Sequence, residues 1–287
     1  LAAEVLILAL YAASLQLIMG AGGMTSFGHA AYFGLGAYGA ALLVKHAGVG
    51  MWGGLLAAPV LAGLGALLFG WFCVRLSGVY LAMLSLAAAQ IVWSIAFQWV
   101  TVTGGDNGIL NVWPAAPVRP AWAYYLLTLT IAGCGIYAVR RITSAPFGYA
   151  LRAVRDSVVR ARAIGIDVRR IQWLGFALAG GLAGLAGGLW AHLRGSVFPS
   201  VLAVPQSVDG LVMVMLGGLA VLEGPLLGAG LYHLLKTELL RHTELWRGVL
   251  GLLIVTLILA FPQGVLGSLL QADSRRRPVD SAAEAQT

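Results

Sequence analysis

Residues 51–74 read MWGGLLAAPVLAGLGALLFGWFCV, a run without a single Asp, Glu, Lys or Arg. A bilayer-spanning helix needs about 17 to 25 predominantly apolar residues, and this stretch supplies them. Similar runs recur along the chain at 5–19, 27–44, 79–100, 122–139, 171–193, 208–222, 225–241 and 246–262, separated by short Gly, Pro or charged stretches. The expected fold is all-α, a polytopic transmembrane helical bundle of about nine spans, with residues 1–270 forming one membrane domain. Composition agrees. The 287 residues are 60% hydrophobic and only 10% charged, and mean hydropathy is +0.87. A soluble domain carries roughly 25% charged residues.

Several spans are short or interrupted by glycine, including one opened by Gly20-Ala21-Gly22-Gly23 and a pair split by Glu223-Gly224-Pro225. Broken or re-entrant helices are expected there. The 39 glycines point to close helix packing. Cys73 and Cys134 lie in apolar runs without metal-ligand spacing and read as packing residues.

The net charge of +7 is not spread over a soluble surface among stacking aromatics, so nucleic acid is a poor partner. Arg140, Arg141, Arg152, Arg155, Arg160, Arg162, Arg169 and Arg170 face only Asp156 and Asp167 between 140 and 170, which makes this loop cytoplasmic by the positive-inside rule. Counting spans forward puts Arg275, Arg276 and Arg277 on the same side and Thr101 to Ala121 outside. Counting backward leaves Leu1 outside, which fits an additional N-terminal helix. Residues 271–287 are polar and read as a disordered cytoplasmic tail.

Within the basic loop, Leu151, Val154, Val158 and Ala161 are spaced as one apolar stripe of a helix. Arg152, Asp156 and Arg160 would form an i, i+4 ladder opposite it. Gly165 would end the helix in a left-handed conformation, and Asp167 would cap the next span. Such a helix is too short and charged to cross a membrane. It suits either docking of a cytoplasmic partner or lying on anionic lipid. No charged side chain falls near the middle of any expected span, unlike most proton-coupled carriers. Neither Lys45 nor Lys236 sits in a phosphate-cradling G-x-x-x-x-G-K-[ST] loop. Energy for transport would have to come from another polypeptide.

The stretch from Pro146 to Asp156, continuing through Ala163-Ile164-Gly165-Ile166-Asp167, resembles the cytoplasmic coupling loop of branched-chain amino-acid ABC transporter permeases of the LivM type. Ser26 to Tyr38, Thr103 to Gly108, Met215 to Leu219 with Gly224-Pro225, and Phe261-Pro262-Gln263-Gly264 resemble further segments of that family in the same order. Arg162 departs from it, since the family often has an acidic residue there. The resemblance implies a membrane-spanning permease subunit of the bacterial inner membrane that moves branched-chain or similar aliphatic amino acids inward. It also implies a second homologous permease subunit, two cytoplasmic ATP-binding subunits and an external solute-binding protein. ATP and Mg would belong to the ATPase partner, with no cofactor in this chain.

Leu151, Arg152, Val154, Arg155, Val158, Ala161 and Gly165 are then the candidate ATPase-coupling residues. Ser26 and His29 are candidates for the substrate pathway, or for repairing backbone hydrogen bonds beside a helix break. Thr103, Gly104, Gly105, Asp106 and Asn107 are candidates for contact with the binding protein, although a turn alone explains them. Glu223 would pair with an arginine of the loop or cap a helix. No catalytic triad, zinc site or carboxylate pair is present in the sequence, so an enzyme is not expected. The rival reading is an uncoupled channel or facilitator for small polar solutes such as urea or amides.

Overall fold

The computed structural model describes residues 1–219, 221, 223–242, 248–252, 255, 256, 264 and 267. Most of the span expected at 246–262, the Phe261 to Gln263 segment and the 271–287 tail lie outside the described residues. The helices are α1 (Ala2–Gln16), α2 (His29–His46), α3 (Met51–Cys73), α4 (Val79–Gln98), α5 (Val100–Thr103) and α6 (Ala121–Ser144). They continue with α7 (Pro146–Asp156), α8 (Val158–Ala163), α9 (Val168–Arg194), α10 (Val204–Gly217) and α11 (Gly224–His242). Two short strands, β1 (Ile109–Leu110) and β2 (Ser196–Val197), pair antiparallel. Among the described residues five helices are long and apolar enough to cross a membrane: α1 with its π-helical extension Leu17–Ala21, α3, α4, α6 and α9. The spans expected at 27–44, 208–222 and 225–241 correspond to α2, α10 and α11, which are shorter or less apolar.

Residues Ile7 to Gln16 of α1 are buried on every side, which is why this helix is apolar all round rather than striped. It packs against α6, α9, α10 and α11, while α9 also holds α2 and α3. The α9–α3 contact is built from small residues at helical spacing. A Cβ on Gly180 would meet Ala66, one on Gly184 would meet Ala62, and one on Gly188 would lie 2.8 Å from the Ala58 Cβ. Without a hydrophobic driving force between helices in lipid, close backbone approach supplies the dispersion energy that holds them. Cys73 is buried, as a packing residue would be, but Cys134 is exposed.

Two helices begin inside the bundle. After the π-turn Leu17–Ala21, residues 22–28 are non-helical, and α2 starts at His29, whose Nε2 is 2.8 Å from Ser14 Oγ. Ser14 lies about 4 Å along the axis from the centre of the Ala2–Ala21 span, at 1.5 Å rise per residue. The break expected at 20–23 is therefore real and places a helix start at mid-depth. The second break lies elsewhere than expected. A 3₁₀ turn at Pro199–Leu202 precedes α10, whose Gln206 carbonyl accepts a hydrogen bond from Tyr11 Oη at 3.3 Å, also near the centre of α1. Pro199 and Pro205 are the physical cause, since neither can donate a backbone hydrogen bond and each favours the start of a helical turn. Glu223-Gly224-Pro225 merely turns the chain from α10 into α11.

The 101–121 segment and the 140–170 loop lie at opposite ends of α6. Leu1, Trp113, Trp122 and Leu193 line one cavity at the first end, so the start of α1 shares a side with the 101–121 segment.

Candidate functional site

The 140–170 loop folds as two helices rather than one. Pro146 opens α7 in its first turn, and Leu151 and Val154 bury its apolar face at 0% and 1% exposure. At Ser157 the backbone turns extended, and the Ser157 hydroxyl caps α8 by accepting from the Arg160 N–H at 3.3 Å. Ala161 is buried in one small cluster with Val154 and Val168, but Val158 is 38% exposed. The expected single stripe is thus interrupted, because the bend at Ser157 rotates Val158 off the buried face. The expected ladder does not form, because the bend parts Asp156 from Arg160 and Arg152 turns to another partner. Asp156 pairs with Arg155 at 2.9 Å, and Arg152 donates to the Thr143 carbonyl at 3.0 Å. The end of the motif matches expectation. Gly165 adopts φ 84°, its N–H reaches the Arg162 carbonyl and the Ile166 N–H reaches that of Ala161, while Asp167 accepts from the Arg170 N–H at 3.2 Å.

The loop is fastened to the first helix break. Arg155 Nη1 donates to the Gly20 carbonyl at 2.6 Å, one of the acceptors left near the end of the π-turn. A Cβ on Gly23 would collide with Arg155 Cγ, so the missing side chain lets the arginine stem lie across the backbone. Six residues beyond Gly23 the chain enters α2. Arg155, at the exposed edge of α7, therefore contacts the segment that sets where α2 begins. Outward from this contact, Tyr149, Val159 and Ile164 are 63%, 78% and 74% exposed. These apolar tips escaped the sequence reading because they lie off the stripe. Their signal was hydrophobicity on a face assigned to arginine.

Ser26 and His29 occupy the break itself, and both are fully buried. Hydroxyls from two other helices take up backbone donors around the start of α2: Ser207 Oγ of α10 accepts from the Ala30 N–H in its first turn at 3.0 Å, and Ser85 Oγ of α4 from the Phe27 N–H just before the helix at 3.1 Å. Ser14 Oγ donates to the Tyr11 carbonyl at 2.6 Å, so His29 donates Nε2–H to Ser14 and its Nδ1 is the acceptor. His29 Nδ1 and Ser26 Oγ have no partner among the described residues. The arrangement joins the positive ends of two half-helices at mid-depth.

At the opposite end, Thr103 to Asn107 form a turn through three successive element ends. Thr103 Oγ1 donates to the Ala96 carbonyl at 2.6 Å and accepts from the Gly105 N–H at 3.3 Å. Gly104 and Gly105 both have positive φ. Local backbone bonding expected of Asp106 or Asn107 is performed by Thr103, and Asp106 and Asn107 are exposed. Through the β1–β2 pair this turn is tied to the connection that leads into α10.

One sequence expectation fails. A charged pair does occur inside the bundle: Lys236 Nζ pairs with Asp209 Oδ2 at 2.9 Å. Nearer the end of α1, Glu4 pairs with Arg194 at 2.7 Å and lies 3.5 Å from His233. Gly210 rests against the Tyr11 ring, so Asp209 beside it lies near the depth of the centre of α1. Asp209 looked terminal because its span was read as starting at 208 near a surface, whereas α10 starts in the interior. Glu223 pairs with Arg140 at 3.7 Å, as one of its two expected roles required.

The model of the family described as branched-chain amino acid transport system / permease component matches residues 1–258. The permease protein LivM of the high-affinity branched-chain amino acid transport system of Escherichia coli K12 is 29% identical over 280 residues, covering 88% of this chain and 66% of that protein. Its counterpart in Salmonella typhimurium LT2 is 28% identical with the same coverage. The autoinducer 2 import system permease protein LsrC of Salmonella paratyphi B is 29% identical over 49% of this chain and 45% of its own. No solved structure matches the chain. The chain thus spans just under two thirds of the LivM proteins it aligns with. Since the family model covers all but the last part of the chain, this helical bundle belongs to the family of branched-chain amino acid transport system permease components.

Proposed function

We propose that this protein is the membrane-spanning permease subunit of an ATP-driven importer in the bacterial inner membrane, moving branched-chain or similar aliphatic amino acids inward. The basic end is cytoplasmic. Two ATP-binding subunits, carrying ATP and Mg, engage α7 and α8, a second homologous permease completes the membrane part, and an external binding protein delivers substrate near Thr103, Gly104, Gly105, Asp106 and Asn107. The observation that carries the reading is the grip of Arg155 on Gly20 and Gly23. A push on α7–α8 is transmitted to the broken segment 20–28 and so to the start of α2, where Ser26 and His29 carry polar atoms that a passing solute can engage. Leu151, Val154 and Ala161 anchor the two helices, Arg152 ties them to α6, and Gly165 ends α8. Val158 joins Tyr149, Val159 and Ile164 on the exposed side that meets the ATPase.

The relatives named for autoinducer 2 import show why the family alone leaves the substrate open. Uptake decides it. Vesicles containing this permease, its partner permease and the ATPases, with ATP inside and binding protein plus labelled leucine outside, should accumulate leucine in sodium-free buffer with a protonophore. Accumulation that stops under those conditions would make ion coupling at the intramembrane charges the better reading. Equilibration independent of ATP would favour the facilitator.

A further inference from the structure

A cavity of about 410 Å³ opens at the basic end between the α3–α4 turn and α7–α9. Arg75, Arg155, Arg162 and Arg169 line it, with Ser77 and Gln172, and no carboxylate does. Among the described residues no acid pairs with Arg75, Arg162 or Arg169, and Arg75 instead stacks on Trp71, 4.9 Å from the ring centroid. The start of α4 also borders the cavity. Its N-cap is Gly78, which has no side chain to bond the first-turn N–H groups, and the space beside its Cα is open. Three arginines without an acidic partner, Arg75, Arg162 and Arg169, and an uncapped helix N-terminus border one volume, the chemistry of a phosphate-binding site, while the Arg155 guanidinium is held by Asp156 and the Gly20 carbonyl.

The surface leading into the cavity says which phosphate. The exposed side chains of α3 include an i, i+4 ridge, Leu56, Val60, Leu64, Leu68 and Phe72, which winds along the helix and ends at Leu76 and the cavity mouth. Tyr80 and Val79 flank the other rim at 76% and 69% exposure. A soluble phosphate has no use for this ridge. A phospholipid has both parts, acyl chains to lie along it and a phosphodiester to reach the arginines. We propose that this cavity is a binding site for the headgroup of an anionic phospholipid of the cytoplasmic leaflet, its acyl chains lying along α3. Bound there, the lipid bridges the α3–α4 turn to α7–α9.

The test uses the full chain released from mixed micelles of phosphatidylglycerol and phosphatidylcholine, with lipid adducts counted by native mass spectrometry. Phosphatidylglycerol should be retained over phosphatidylcholine. Arg75→Gln with Arg169→Gln should lower that preference about fivefold for each arginine removed, while Arg140→Gln with Arg141→Gln, an equal charge change outside the cavity, should leave it intact. Full retention by the first pair, or equal loss by the second, would overturn the site. Inorganic phosphate competing as well as the lipid would make the ligand a soluble anion and overturn the lipid assignment. Displacement of the lipid when the ATPase subunits assemble would assign the cavity to that contact instead. Should the variants fail to fold, phosphatidylglycerol with a photoreactive acyl chain can be crosslinked to the unaltered chain, where adducts belong between residues 64 and 80. Adducts confined to other helices would sink the proposal.

Discussion

Gly184 faces Ala62 and the Ala58 carbonyl, and a Cβ placed on it would be 2.7 Å from that oxygen, closer than carbon and oxygen tolerate. Gly184→Leu should therefore wedge α9 from α3 and cost about 1 to 3 kcal/mol, read as a lower unfolding temperature in detergent. An unchanged transition would mean that α3 and α9 do not touch there. The Asp209–Lys236 pair makes a sharper case, because removing one partner strands a charge in a low-dielectric interior while removing both does not. Lys236→Met alone should destabilise by about 3 kcal/mol, and adding Asp209→Asn should restore most of that loss. If the double variant is stable yet transports nothing while still hydrolysing ATP, the pair handles solute. If it is stable and transports normally, the pair is structural.

Among the elements, α7 and α8 depend on a seam one residue wide. Ala161 sits against Val154 and Val168, so Ala161→Asp would bury a carboxylate without a partner at a cost of several kcal/mol unless α8 lifts away. Substrate-stimulated ATP hydrolysis should fall severalfold while the subunit still inserts and its thermal transition barely moves. Unaltered stimulation would shift coupling to another surface. The link from α7 to the broken segment predicts a related outcome. Gly23→Val would push against the Arg155 stem at a position of φ 64°, which a β-branched residue adopts poorly. ATP hydrolysis should then become insensitive to binding protein and leucine, without loss of ATPase assembly in a pull-down. Retained sensitivity would show that force reaches α2 by another route.

At the scale of the whole molecule, the two breaks are related in kind. One enters from the basic end and starts α2, the other enters from the opposite end and starts α10, and the Ala30–Ser207 hydrogen bond joins them at mid-depth. Each break is tethered at its own surface: the first by Arg155, the second by the β1–β2 pair beside the Thr103 turn. The sidedness is open to direct measurement. With exposed Cys134 first replaced by Ser, a cysteine at Asp106 should react with an impermeant reagent applied to intact cells, and one at Arg155 should react only after permeabilisation. The reverse pattern would invert the topology.

Periodicity and composition by themselves determined that the chain is a helical membrane bundle, because long uncharged runs have one stable backbone solution in lipid. The 20–23 break, the positive φ of Gly165 and the Asp167 cap were equally legible, since each is a local property of a few residues. Only the tertiary structure decided the rest. The depth of the 199–205 break and of Asp209, and the seating of α7 before the bend at Ser157, depend on packing against α1, α11 and α9, which lie far away in the sequence. Hydropathy averages over a window and cannot tell a helix that starts in the interior from one that starts at the surface. The same holds for the basic cavity. Its arginines come from positions 75, 155, 162 and 169, and nothing in their spacing places Arg75 beside the others until α3 has packed against α9.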